Sequence, residues 1–169
     1  PDMTLPMFRQ SAAALAPFLA ECAFGGSRFA HEAPGSAMLA AIRPIGLAAE
    51  EAMYAATGKV NTHKGALFAF GIAAAALGRR IARQEQSDWP ALSADIRAIC
   101  AGLEPELGQG NTAGARFYRQ HGLSGARGEA LSGFATLTDF ALPAYQQAFA
   151  ATANRTHALR YVFLTLLAH

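Results

Sequence analysis

Apolar positions in this chain recur mostly at three- and four-residue spacing, the period of a helix with one side turned to a core. Leu15, Phe18, Leu19 and Cys22 trace one such stripe. They predict a helix over about residues 5–23, ended by Gly25-Gly26 and kinked or broken at Pro17. A second helix over about 36–56 carries Leu39, Ile42, Leu47 and Met53, is disturbed at Pro44 and stops at Gly58. The third opens at the Asn61-Thr62 cap and runs to about residue 84. It is apolar on nearly all faces until Arg79, Arg80 and Arg83, which places it in the interior. Asp88-Trp89-Pro90 starts a fourth, because Asp88 can cap and a proline is tolerated in the first turn. That helix leads through Leu92, Ile96 and Ile99 to Gly102.

Residues 105–111 read as loop, and Thr112 can cap a short helix ending at His121-Gly122. After a glycine-rich turn over 122–128, a helix is expected from Gly128 or Glu129 towards Phe140, broken or restarted at Pro143 before Phe149. The last helix covers about 156–168, and its run Tyr161-Val162-Phe163-Leu164 is apolar enough to need covering.

Composition points the same way. Forty of the 169 residues are alanine, which loses no side-chain entropy in a helix. The length suits one domain. The expected fold is all-α, a compact single-domain bundle of six to eight alanine-rich helices around a buried central helix. Small side chains let the helix axes approach closely. The net charge of +2 comes from twelve arginines and two lysines spread along the chain. That distribution argues against a nucleic-acid surface and is compatible with a local anion site. Cys22 and Cys100 lie in apolar surroundings without metal-ligand spacing and read as buried, reduced thiols of a cytoplasmic protein. The apolar run over 65–78 is shorter than the ~20 residues a membrane helix needs, so no membrane association is expected. The chain opens on Pro1 without a signal-peptide pattern, the mark of a removed start or of a fragment.

Two polar stretches interrupt this apolar background. In Asn61-Thr62-His63-Lys64-Gly65, a helix start places free backbone N–H groups, the positive end of the helix dipole and an ammonium together, as a phosphate ligand requires. A capped helix with its polar start in water explains the same residues. In Gly125-Ala126-Arg127-Gly128-Glu129-Ala130, the glycines permit close backbone approach. Arg127 offers a planar fork for phosphate oxygens, and Glu129 offers a carboxylate for a metal or a proton. The two side chains can equally pair with each other or with neighbours. In a helix starting at Glu129, Ser132 and Thr136 share a face while Leu131 and Phe134 turn to the core. Glu50 shares a face with Met53 and Thr57, where a carboxylate must be paired, protonated or metal-bound. Glu51 points to solvent.

The run from Glu50 through Asn61-Thr62-His63-Lys64 to Ala66, together with residues 125–134, resembles the triphosphoribosyl-dephospho-coenzyme A synthases. Ala101-Gly102-Leu103, Glu106-Leu107, Thr112 through Tyr118 to Gly122 and Ala141-Leu142-Pro143 fall in the same order as in that family. Two departures stand out. Lys59 occupies a position where a small residue is usual. Family members also continue at both ends, with a Pro-Gly-Leu-Val segment before Asp2 and an Asp-Thr-Asn segment after His169, so the resemblance implies the middle of a longer enzyme.

The resemblance implies transfer of the triphosphoribosyl group of ATP to 3′-dephospho-coenzyme A with release of adenine, making the prosthetic-group precursor of malonate decarboxylase or citrate lyase. Malonate is favoured here on the general character of the sequence. Under it, Asn61, Thr62, His63, Lys64 and Arg127 hold the triphosphate, Ser132 adds a nucleotide contact, and Mg2+ assists. Glu129 and Glu50 serve as base or metal ligand. Two other readings stay open. One is a kinase or nucleotidyltransferase acting on a pantetheine nucleotide; the other is a non-catalytic helical module that binds an acyl carrier protein. Homo-oligomerisation through the apolar last helix is compatible with each.

Overall fold

The computed structural model describes residues 3–110 and 113–168, and every regular element among them is helical. In chain order these are α1 (Leu5–Ser27), α2 (Ser36–Ala56), α3 (Lys64–Ala82), α4 (Trp89–Cys100), α5 (Ala113–His121), α6 (Gly125–Leu131), α7 (Leu142–Thr152) and α8 (Arg155–Leu167). A single 3-10 turn, Glu104–Glu106, precedes α5, and a π-helical turn, Leu137–Ala141, precedes α7. Side chains begin three helices where the sequence supplies cap residues. Thr4 accepts from Met7 N, Asp88 from Ala91 N and Asn154 from His157 N, each satisfying an otherwise orphaned donor. The cap expected at Thr112 lies outside the described residues.

The chain forms two compact units, Pro1–Leu131 and Ser132–His169. In the first, α1, α2 and α3 pack on one another around Leu15, Ala49, Met53 and Leu67, with Phe18, Leu19 and Tyr54 closing over them. α1 and α3 approach almost backbone to backbone. A Cβ on Gly26 would fall 1.9 Å from the Ala75 carbonyl oxygen, and one on Gly78 would fall 2.0 Å from that of Ala23. This explains why Gly25-Gly26 does not end α1 as expected. Gly26 is a contact residue inside the helix, which continues to Ser27.

Pro17 and Pro44 do not break their helices either. Buried residues flank each of them, Leu15 and Cys22 around the first and Ile42 and Ala49 around the second. Burial at ~1.5–3 kcal/mol for a large apolar side chain offsets the ~3 kcal/mol that an internal proline costs.

α3 packs against α1, α2, α4 and α6, the central place expected for it, but Phe70, Leu77 and Ile81 leave part of its circumference exposed. At 19 residues it is long and apolar enough to cross a membrane by length and composition. Here Gly71, Ala75 and Gly78 are buried instead. Its C-terminal end carries a buried ionic network. Arg79, only 6% exposed, donates to the Glu32 carbonyl through Nε and Nη2 at 3.0 and 2.7 Å and meets Asp95 at 3.4 Å. Arg80 donates to the same carboxylate at 3.0 Å and to the Gln86 carbonyl, while Arg83 donates to the Ala30 carbonyl and to Glu85. Cations at a helix C-terminus also complement its dipole. The network pins the connections that precede α2 and α4, and α4 itself through Asp95, to α3. Cys22 and Cys100 are buried free thiols, as expected, and burial pushes them up to about 11 and about 12.

α6 starts at Gly125, not at Gly128 or Glu129, and stops at Leu131. Gly133 and Phe134 both take positive φ, +70° and +61°, a break that an L-residue enters at a cost. Ser132 and Phe134 therefore do not continue the Glu129 helix. In the second unit, α7 and α8 pack together with Ala144, Ala148 and Ala158 buried. α8 leaves Leu159, Phe163, Leu164 and Leu167 more than half exposed.

Candidate active site

The corner where α1, α2 and the start of α3 meet collects most of the polar residues singled out above. α2 ends in a Schellman turn. Gly58 lies at φ +61°, and the Lys59 amide donates back to the Tyr54 carbonyl at 2.8 Å. This is the six-to-one bond that satisfies a terminal carbonyl. Buried Thr57 holds its hydroxyl 2.8 and 2.6 Å from the Met53 and Val60 carbonyl oxygens, which share its one proton. The reversed chain then brings residues 61–63 back against α1.

Asn61 Oδ1 accepts from the Lys64 amide at 3.1 Å, so Asn61 acts as the cap although His63 occupies the formal cap position. His63 makes no side-chain cap bond, and the amides of Gly65 and Ala66 are left at the open end of α3. Gly65 has nothing within 4 Å of where a Cβ would stand, so a ligand can approach the backbone there. Lys64 Nζ donates to Glu50 Oε1 across the gap between α3 and α2. Glu50 is thus paired, one of the states its half-buried position demanded, while Glu51 is exposed.

Beneath this surface lies a residue the sequence reading missed. Ser11 of α1 is fully buried and accepts from Thr62 Oγ1 at 2.7 Å, with His63 Nδ1 at 2.9 Å from its hydroxyl. Ser11 thus links the Thr62 hydroxyl to His63 Nδ1, the direction of the second bond following the imidazole tautomer. Phe8 packs on the same ring at 4.2 Å between centroids, and the His63 amide faces Met53 Sδ at 3.3 Å. Ser11 stands four residues before Leu15 on the apolar stripe of α1. A hydroxyl on a buried face was the signal that could have found it.

Arg127 occupies a second cluster. Its Nη1 donates to the Glu106 carbonyl at 2.9 Å, and its Nη2 stands 3.9 Å from the Glu106 carboxylate. Arg43 of α2 holds that carboxylate in a bidentate pair at 2.6 and 3.2 Å. The Arg43 hydrogen bond, followed by the positive fields of Arg43 and Arg127, holds Glu106 below the usual carboxylate range, and Arg43 is raised in turn. Neither Arg43 nor Glu106 was named as a site residue from the sequence.

The fold thus brings Asn61, Thr62, His63, Lys64 and Glu50 together, and joins Arg127 to Arg43 through their shared partner Glu106. Glu129 lies two residues beyond Arg127, ~200° further round α6. Ser132 belongs to the second unit, where its Oγ accepts from the Ala135 amide at 2.9 Å. Among the described residues no three His, Cys, Asp or Glu side chains converge as a metal cage. Mg2+ needs none, since one or two carboxylates suffice when phosphate oxygens and waters complete its shell. Glu50, beside open backbone amides, fits that requirement.

Comparison with known proteins gives a consistent result. The sequence pattern of the CitG family, described as ATP:dephospho-CoA triphosphoribosyl transferase, matches residues 1–169. Proteins from Pectobacterium carotovorum and Pectobacterium atrosepticum are each 43% identical over 172 residues, covering 99% of this chain and 57% of their own. The second is named 2-(5''-triphosphoribosyl)-3'-dephosphocoenzyme-A synthase, and the first carries that name with the qualifier "probable". A Vibrio cholerae protein with the qualified name is 42% identical over 179 residues, 99% of this chain and 55% of its own. The chain therefore spans little more than half the length of these relatives. No solved structure matches it.

Proposed function

Because the chain belongs to the CitG family of ATP:dephospho-CoA triphosphoribosyl transferases, we propose that it forms the polyphosphate-holding part of an enzyme that joins ATP to 3′-dephospho-coenzyme A. The observation that carries this reading is the start of α3. Lys64, the open amides of the first turn and the half-buried Glu50 stand together there, in the segment whose sequence resembles the family most closely.

In the proposed reaction the ribose 2′-oxygen of 3′-dephospho-coenzyme A forms a bond to C1′ of the ATP ribose, and the bond from C1′ to the adenine nitrogen breaks. The bonding pair leaves with adenine, which takes up a proton, and the 2′-hydroxyl gives its proton to a carboxylate. All three phosphates stay on the product. The site's tasks are to fix the triphosphate, support an oxocarbenium-like centre and manage two protons.

Lys64, Thr62, His63 and the cap built by Asn61 hold phosphate oxygens, with Arg127 reaching them from α6. Ser11 supports this by locking the imidazole and the Thr62 hydroxyl in one hydrogen-bonded arrangement. Glu50 and Glu129 are the carboxylates for proton acceptance and metal ligation. Mg2+, when bound, neutralises phosphate charge.

The substrates are ATP and 3′-dephospho-coenzyme A, and malonate decarboxylase is the pathway proposed for the product. The workplace is the cytoplasm, without nucleic-acid or membrane partners. The exposed face of α8 supports association of copies of the chain.

Lys64→Ala in the full-length enzyme should raise KM for ATP tenfold or more by order of magnitude, and Glu129→Gln should cut kcat with little loss of helix content. Steady-state kinetics with circular dichroism checks both, and near-normal turnover of the Glu129 variant would remove it from the mechanism. A kinase or nucleotidyltransferase would instead release ADP or diphosphate, and a module for an acyl carrier protein would consume no ATP.

A further inference from the structure

Arg43, Gly46 and Glu50 follow one another on α2 at spacings of three and four, so they share one face of the helix. From Arg43 to Glu50 the axis rises about 10.5 Å. At the Glu50 end stands Lys64, and at the Arg43 end stands Arg127, the two guanidiniums gathered round Glu106. Between them Gly46 presents bare backbone.

Glycine inside a helix is unfavourable and usually has a reason. Gly26 and Gly78 have one in the contact between α1 and α3. Gly46 has none of that kind, because nothing lies within 4 Å of the position a Cβ would take, and its φ is not positive. The result is an open strip of helix between the Lys64 and Glu50 pair at one end and the cluster of Arg43 and Arg127 round Glu106 at the other.

We propose that Arg43 and Gly46 extend the Lys64 site into a polyphosphate-binding seam along α2, with Arg43 and Arg127 as its far cationic end. Guanidiniums are suited to this, since their planar forks bind phosphate oxygens in pairs. Arg43 and Arg127 against one Glu106 carry a net positive charge, and a polyphosphate offers more negative charge than the single carboxylate it displaces. Glu106 keeps the two arginines apposed until then. Both ends are half-exposed, with side-chain exposures of 47% for Arg43 and 42% for Arg127, so a ligand reaches them without opening the core. In the proposed seam one extended chain of phosphates crosses Gly46 and touches both ends.

The inference rests on the proposed function for the identity of the ligand. Polyphosphate is common to ATP and to the diphosphate of 3′-dephospho-coenzyme A, and the test separates them. Calorimetric titration of the chain and of its Arg43→Ala, Gly46→Leu and Glu106→Gln variants uses inorganic tripolyphosphate, ATP and 3′-dephospho-coenzyme A as probes. Thermal unfolding by circular dichroism runs alongside. Gly46→Leu meets no neighbour and improves helix propensity, so the fold should hold while tripolyphosphate binding weakens tenfold or more by order of magnitude.

Arg43→Ala should weaken it similarly, and Glu106→Gln should tighten it several-fold by removing the competing carboxylate. Loss for ATP assigns the seam to the triphosphate, whereas loss for 3′-dephospho-coenzyme A alone assigns it to the diphosphate; either supports the seam. Binding that survives both Gly46→Leu and Arg43→Ala, or that weakens in Glu106→Gln, overturns the seam and leaves the proposed function standing. No binding of any probe by the unsubstituted chain overturns both.

Discussion

Lys59 sits at φ +70° directly after Gly58 at +61°, where an L side chain costs ~1–2 kcal/mol. It is held there by the bond from its amide to the Tyr54 carbonyl, because that bond closes α2 and turns the chain towards His63 and Lys64. The family resemblance marked this position as one where a small residue is usual, and the backbone supplies the reason. Lys59→Gly should raise stability by about 0.5–1 kcal/mol after allowance for the added freedom of the unfolded chain, measured by urea denaturation. At the same scale, Glu50 was readable as a carboxylate needing a partner, but the identity of that partner was not. Lys64 is fourteen positions away and meets it only because the turn at 57–63 reverses the chain. Ser11, more than fifty positions from His63, depended still more on tertiary packing.

At the scale of elements, α2 was read with its observed bounds, and the caps at Asp88 and Asn61 act as their side chains suggested. The errors share one cause. Gly25-Gly26 looked like a stop and Pro17 like a kink or a break, and neither the stop nor the break occurs, since local propensity says nothing about what packs alongside. α3 supplies the contact that keeps α1 helical through both. Gly26→Ala should therefore destabilise the chain by about 1–3 kcal/mol through collision with the Ala75 carbonyl. Gly46→Ala, with open space around it, should stabilise by about 0.5–1 kcal/mol. Thermal unfolding of the two variants side by side checks the contrast.

The connection after α4 is anchored to α2 through Glu106. Its folded-state pKa is lowered, first by the Arg43 hydrogen bond. The associated stability is therefore present above the ordinary glutamate value of about 4.3 and is lost as pH falls through the lower folded value. Midpoints for wild type and Glu106→Gln should converge on acidification below about pH 4. Equal pH dependence of the two proteins would argue against that anchor.

Across the whole molecule, the all-α class followed from the alanine content and the helical spacing, and it holds for every regular element among the described residues. The division at Leu131 and Ser132 was not readable. The sequence there looked like one helix running on to Phe140, and only the paired positive φ values at Gly133 and Phe134 interrupt it. The family came from the polar segment of residues 50–66 rather than from the packing that surrounds it. Physical reasoning from that segment alone reached an anion site at a helix start, and the distinction between attack at phosphorus and attack at carbon came from the resemblance.

That distinction is the claim to test. ATP, Mg2+ and 3′-dephospho-coenzyme A should be incubated with this chain and with a version extended to the length of its relatives, and the products separated with mass detection. Free adenine with an equal amount of a coupled product retaining three phosphates is the result predicted for the extended version. Release of ADP or diphosphate without adenine would contradict it.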